Sequence, residues 1–177
     1  WYVFYHRLTH GSDYSRQMCA EPLELLPDGS IAQAEMTSCG LQGGDLPGRG
    51  EYPAAICCNL TNGKMPHIAN QIRQGLPRIT HSESQWYVAD AAKGTKLTYK
   101  YFSIEENTVL HLTARGQGQV SLWLNEEQVG ELSFQGTSWE SKALTIPKPC
   151  THAALHLAVT AGTLDMLSLK FSGKEHP

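Results

Sequence analysis

Basic residues are scarce in this sequence. Fourteen Lys and Arg stand against 17 Asp and Glu, for a net charge of −3 with the 8 histidines neutral. Nucleic acid and anionic membrane surfaces both require clustered Lys and Arg, so neither is expected as a partner. Long hydrophobic runs are missing as well. The longest, Trp1–Tyr5, is far too short to span a bilayer, and no signal-peptide pattern is present. The 5 cysteines cannot all pair within one chain, and none are spaced Cys-x-x-Cys. A zinc knuckle or thioredoxin-type motif is therefore unsupported, and structural thiols in a reducing compartment are the expectation. There is no Gly-x-Ser-x-Gly and no phosphate-cradling glycine motif. Sustained helical periodicity is lacking too, with at most one turn over Ala69–Gly75.

What is present is β texture. The chain opens on "WYVFYHR", an aromatic strand followed by His6 and Arg7. Asp28-Gly29 separates Leu23–Leu26 from Ile31–Met36, the signal of a hairpin turn. Next comes "GLQGGDLPGRGEYP", a stretch of Gly and Pro that reads as a loop or linker. From "KLTYKYFSI" onward, short apolar segments recur about every ten residues with polar turns between them: "TVLHLTARG", "GQVSLWLN", "QVGELSFQG", "SKALTIP", "HAALHLAV" and "LDMLSLKF". Leu110, Leu112 and Ala114 alternate with Val109, His111 and Thr113, the period of a half-buried strand. The fold class predicted is all-β, with an antiparallel sandwich or jelly roll.

Few residues offer chemistry by pattern. His152 and His156 would share a face of a strand but lie about 13 Å apart, too far for one metal ion. Glu105-Glu106 and Glu126-Glu127 read as solvated turns, not as carboxylates converging across a cleft. Aromatic side chains among polar neighbours suggest a sugar ligand, since rings stack on apolar C–H faces while polar groups take the hydroxyls. Trp86, Tyr87, Trp123 and Trp139 are the candidates. Trp139, beside Gly136-Thr137-Ser138, is the most loop-like.

The first sixty residues carry a family likeness. The stretches Tyr-His-Arg, Ser-Arg-Gln-Met-Cys-Ala-Glu-Pro, Asp-Gly-Ser-Ile and Glu-Met-Thr-Ser-Cys-Gly-Leu resemble the closing part of a glycoside hydrolase family 43 domain. The likeness is to the arabinofuranosidase/β-xylosidase branch. "GTKLTYKYFSI" and "GTLDMLSLKF" are similar to the β-sandwich of family 6 carbohydrate-binding modules. This resemblance implies residues 1–45 as the last blade of a five-bladed propeller, 46–76 as a connecting segment and 77–177 as the sandwich. It implies His6 near the propeller axis, with Arg16, and Arg7 second, lining the sugar pocket. In the sandwich it implies Trp139 as the carbohydrate-binding aromatic, with Ala91 and Thr163 where the family carries a tyrosine and an asparagine. It also implies a structural calcium held by Glu83 and Asp165.

The family's catalytic carboxylates match nothing here. The expectation is thus a C-terminal fragment that is inactive alone, whose partners are the remainder of the propeller and a xylan- or arabinan-type plant cell-wall polysaccharide. A stand-alone carbohydrate-binding module and a purely structural domain are the alternatives. Trp1–Tyr5 and Ile31–Met36 are expected to present unpaired edges and apolar surface unless they fold onto the sandwich or another chain.

Overall fold

A computed structural model of the chain describes residues 1–64, 76–82 and 85–173. Strands β1 (Tyr2–Thr9) and β2 (Ser12–Pro22) form a two-stranded antiparallel hairpin. His10 and Gly11 turn it, both at φ of 60°, the left-handed pair that a two-residue hairpin demands if its strands are to keep their natural twist. Asp28-Gly29 also makes its expected turn, with the Ser30 N–H donating to Asp28 Oδ1 at 2.9 Å. The flanking segments meet only at a Leu25–Ile31 bridge, so no second hairpin forms there.

The other nine strands build the sandwich: β3 (Leu46–Pro47), β4 (Gly50–Pro53), β5 (Asn59–Thr61), β6 (Arg78–Ser82), β7 (Gln85–Ala92), β8 (Lys96–Ile104), β9 (Thr108–Leu124), β10 (Glu127–Ile146) and β11 (Cys150–Ser172). Among the described residues the helical pieces are 3₁₀ turns at Gly40–Gln42 and Ala54–Ile56. The Ala69–Gly75 stretch lies outside the described residues. The fold is all-β, as the alternation predicts: Leu110, Leu112 and Ala114 are fully buried while their neighbours are half-exposed.

Strand β11 organises the sandwich. It pairs with β9 along nearly its whole length, with β8 through residues 150–158, and with β7 and β4 through residues 163–171. Its buried positions are odd over Ala153, Leu155, Leu157 and Val159, then even at Leu164 and Met166. The register against β9 slips by one residue between Val159 and Ala161, and Gly162 follows with φ of 68°, where a Cβ would run into the Gln117 carbonyl. A side chain there conflicts with both backbone conformation and space.

The Gly/Pro-rich stretch read as a linker adds edge strands to the sandwich. β3 runs parallel to β8, β4 antiparallel to β11, and β5 antiparallel to β8. Glycines at left-handed φ, Gly43 and Gly50, turn the chain between pieces only two to four residues long. Ala54, Ala55 and Cys57 enter the core, where the Tyr99 hydroxyl donates to the Ala54 carbonyl at 3.0 Å. Turn chemistry hid these strands because each is too short to show a period.

The hairpin lies against the sandwich along its inner face. Arg7 donates to the Ala55 and Cys57 carbonyls and, through Nε, to Gln17 Oε1 at 2.9 Å. Glu21, only 2% exposed, accepts from the Tyr5 hydroxyl at 3.0 Å, from the Thr37 N–H at 2.8 Å and from Thr37 Oγ1 at 2.7 Å. At the tip, the His10 N–H donates to the Ile79 carbonyl at 2.8 Å, and His10 Nε2 accepts from the His81 N–H at 3.3 Å. The His10 ring meets His81 and Trp86 edge-on, at centroid distances of 4.5 and 5.6 Å.

Two predictions follow from this architecture. Gly162→Ala should lower stability by at least about 2 kcal/mol in denaturant unfolding, because strain and overlap act together; an unchanged midpoint would contradict the corner. The second concerns pH. Burial, then His81 and Arg78, hold the His10 imidazole below its ordinary value of 6.5. The docked tip therefore prefers neutral His10, and this contribution is complete above pH 6.5 and lost as pH falls through the lowered native value. His156 is lowered in the same direction by burial, Lys96 and Lys100, so a local readout is needed. Amide resonances at the hairpin tip, Thr9, Gly11 and Ser12, should shift as pH falls through the lowered native value in the parent and not in His10→Asn, which tolerates the left-handed turn. Tip resonances that shift in His10→Asn as they do in the parent would refute the tip as the sensitive contact.

Candidate functional site

The two faces of the hairpin separate the residues that the sequence groups together. His6 and Arg16 are exposed on the outer face, with Tyr2, Phe4 and Met18. Phe4 is 57% and Met18 75% exposed, and Trp1 and Tyr14 continue the apolar surface at 83% and 97%. Arg7, one residue from His6, points the other way and is committed to backbone carbonyls of the sandwich. Period-two alternation makes this outcome unavoidable for adjacent residues on a strand. Beneath the hairpin lies a cavity of about 310 Å³, with Arg7, Glu21, Met36, Cys57 and Cys58 among its lining. Its Arg7 and Glu21 are the docking contacts described above, so the cavity is a packing gap of the junction.

On the sandwich, Trp139 is half-buried. One ring face is covered: the Arg115 guanidinium sits over it at 4.3 Å, and Tyr87 meets it edge-on at 5.5 Å. Arg115 is fixed from its other side by Asp165, whose Oδ2 accepts from Nε at 3.0 Å and Nη2 at 2.9 Å. The Asp165 Oδ1 accepts the Asp90 N–H at 3.0 Å, and the Asp90 carboxylate accepts from Arg78. Ala91 is fully buried and Thr163 exposed, so neither supplies an aromatic or amide group to a cleft. Trp123, on the partly exposed side of β9, donates from Nε1 to Ser121 Oγ at 3.1 Å.

These contacts bear on calcium. The family 6 likeness implies an ion at Asp165, but both of that carboxylate's oxygens already serve protein donors, and one faces a guanidinium. A dication would have to displace Arg115 or accept its repulsion. Among the described residues no group of three His, Cys, Asp or Glu converges as a metal site. Glu83, the other implied ligand, lies outside the described residues. The described residues do not fit a calcium ion.

A second constellation was not visible in the sequence. It is lined by Pro22, Glu35, Thr37, Cys39, Gly40, Gly43, Gly44, Asp45, Tyr101 and His152, around a cavity of about 260 Å³. Tyr101 and His152 stack with centroids 3.6 Å apart and planes 20° from parallel. Asp45 accepts the His152 N–H at 2.8 Å and bonds His152 Nδ1 at 3.0 Å. Glu35 accepts from Lys100 Nζ at 2.6 Å and from the Tyr101 hydroxyl at 2.9 and 3.0 Å. Its carboxyl is held below the usual range, chiefly by the Lys100 hydrogen bond. Glu35 and Asp45 come from segments without regular strands, so periodicity gave no signal for them.

At Cys57 and Cys58 burial outweighs the neighbouring Arg7 and Lys100 charges. All five cysteines are free, and burial pushes the Cys57 thiol up to about 11 and raises that of Cys58.

Comparison with known proteins follows the same division. No family model matches the chain. A xylosidase/arabinosidase of Thermoclostridium stercorarium is 36% identical over 163 residues, a match covering 84% of this chain. The chain spans 34% of that relative's length. A glycoside hydrolase family 43 arabinoxylan arabinofuranohydrolase from Bacillus subtilis, solved with cellotetraose, superposes with a TM-score of 0.59 at 13% identity; the match covers 98% of this chain and 39% of that one. The family 6 module CsCBM6-3 from Clostridium stercorarium, solved with cellobiose, gives a TM-score of 0.60 at 12% identity, over 75% of this chain and 99% of the module. By sequence the chain is similar to part of a xylosidase/arabinosidase, and by fold it is similar to a glycoside hydrolase family 43 protein and to family 6 carbohydrate-binding modules.

Proposed function

We propose that this chain is the non-catalytic part of a glycoside hydrolase acting on arabinose- or xylose-containing polysaccharides. Its sandwich acts as a buttress for the last propeller blade and as a contact for carbohydrate. The observation that carries the reading is the two-sided hairpin. Its inner face is fixed to the sandwich by Arg7 and His10 and to the following segment by Glu21, while its outer face holds Tyr2, Phe4, Met18, His6 and Arg16 exposed. A two-stranded sheet covered on one face only is the form expected of a blade edge that meets further blades. His6 and Arg16 then belong to the sugar pocket of the assembled propeller, and Arg7 to its foundation. The relative's name, xylosidase/arabinosidase, supports the substrate class.

Hydrolysis needs a carboxylic acid with a raised pKa opposite a second carboxylate. Glu35 and Asp45 line one cavity, but Glu35 is held low by Lys100 and Tyr101, the reverse of a general acid. The chain should therefore show no turnover of nitrophenyl arabinofuranoside or xyloside. Activity that copurifies with it and vanishes in Glu35→Gln would overturn this reading.

The internal ion pair at Asp165 makes a further outcome specific. Adding a chelator or millimolar calcium should leave the melting temperature within about one degree, since nothing that binds the folded state is gained or lost. Arg115→Ala should lower it, because Asp165 and Trp139 lose a shared partner. A calcium-dependent rise in the parent would show that the carboxylate releases Arg115 to the ion.

A further inference from the structure

We propose that the cavity between Tyr101–His152 and the Glu35–Asp45 segment is a binding site for a neutral sugar ring, separate from Trp139. This rests on the carbohydrate reading above and names a place for it. About 260 Å³ is below the range typical of drug-sized ligands and suits one monosaccharide unit of a longer chain.

The site is built rather than incidental. His152 has φ of 53°, a left-handed backbone that a residue other than glycine adopts only when its surroundings hold it there. Asp45 is what holds it, taking both the backbone N–H and the imidazole Nδ1. The result is an imidazole laid on the Tyr101 ring while its side chain stays 67% exposed. With Nδ1 bonded to Asp45, Nε2 is the ring nitrogen left for a ligand.

The remaining lining has a consistent chemistry. Glu35 and Asp45 are acceptors, and the side chain of Glu35 is 52% exposed. Hydroxyl donors satisfy such a set, and a second anion is repelled by it. A cationic ligand has a competitor in place, because Lys100 Nζ already lies 5.8 Å from the Tyr101 centroid and is bonded to Glu35. Gly40 and Gly44 leave open space where a Cβ would stand, so a ligand can approach the backbone closely. An aromatic platform, fixed acceptors and bare backbone together match the C–H face and hydroxyl rim of a pentose.

The test is titration of the full chain with xylose, arabinose and their short oligosaccharides, followed by amide chemical shifts. Millimolar binding is expected, with shifts clustered at Gly40, Gly43, Gly44, Asp45 and His152. Glu35→Gln and Tyr101→Ala should each weaken binding at least tenfold, and Trp139→Ala should leave it unchanged. Glu35→Gln preserves side-chain volume, so a folding defect in Tyr101→Ala does not remove the test. Shifts confined to the Trp139 region, with affinity lost only in Trp139→Ala, would overturn this site while leaving carbohydrate binding in place. No shifts with any of these sugars would overturn both.

Discussion

The arrangement depends on one half-buried polar contact, the guanidinium of Arg7 on the carbonyls of Ala55 and Cys57. Those carbonyls lie at the 3₁₀ turn Ala54–Ile56, where the chain leaves β4 and cannot satisfy every acceptor by sheet pairing. A side chain from a different unit satisfies them instead. Arg7 suits the task because its donors are fixed in a plane, and Gln17 closes the set from the neighbouring strand with contacts to Arg7 and to the Ala55 carbonyl. Removing Arg7 would strand two acceptors on the sandwich side and free the hairpin on the other. Isolated two-stranded sheets are marginal in water, so the hairpin's persistence as ordered structure rests on this contact together with Glu21 and His10.

From that junction the rest can be ordered. Glu21 is nearly inaccessible yet accepts from three donors, of which two belong to Thr37. It thereby pins residues 37–39 beside β8, where the Ser38 N–H reaches the Lys100 carbonyl. This placement brings Glu35 to Lys100 and Tyr101, and Asp45 to His152. The cavity there is a consequence of docking, since its acidic wall arrives with the segment after the hairpin and its aromatic wall belongs to the sandwich. A sandwich without residues 1–45 would lack the acceptors, and with Asp45 gone His152 would lose what holds its ring on Tyr101.

Much of the sandwich was legible in the sequence, because burial on strands writes itself as alternation. Leu110, Leu112 and Ala114 are buried as their pattern predicts, and Cys57 is core while Cys58 sits at its edge. The free thiols agree with their odd number. Three kinds of feature were not legible. Strands two to four residues long, such as β3, β4 and β5, have no period to detect, and Gly and Pro around them read as loop. The role of a single charged residue depends on parity, so His6 and Arg7 look equivalent in "YHR" and diverge once the strand is oriented. Contacts between segments far apart in the chain, such as Asp45 with His152, have no local signature at all.

Charge in this molecule divides along the same line. Arg115 with Asp165 and Arg78 with Asp90 neutralise each other on the sandwich, and the first pair covers the ring that sequence singles out for sugar. An aromatic face already occupied by a guanidinium offers a ligand little unless the ligand displaces it. At the junction the carboxylates are also paired, but their partners leave the ring of His152 and an edge of Glu35 open to solvent. What distinguishes a contact surface from a structural ion pair here is this residual exposure under rigid support. By that criterion the outer face of the hairpin and the junction cavity are both surfaces the fold keeps available, one apolar and broad, the other the size of a single ring.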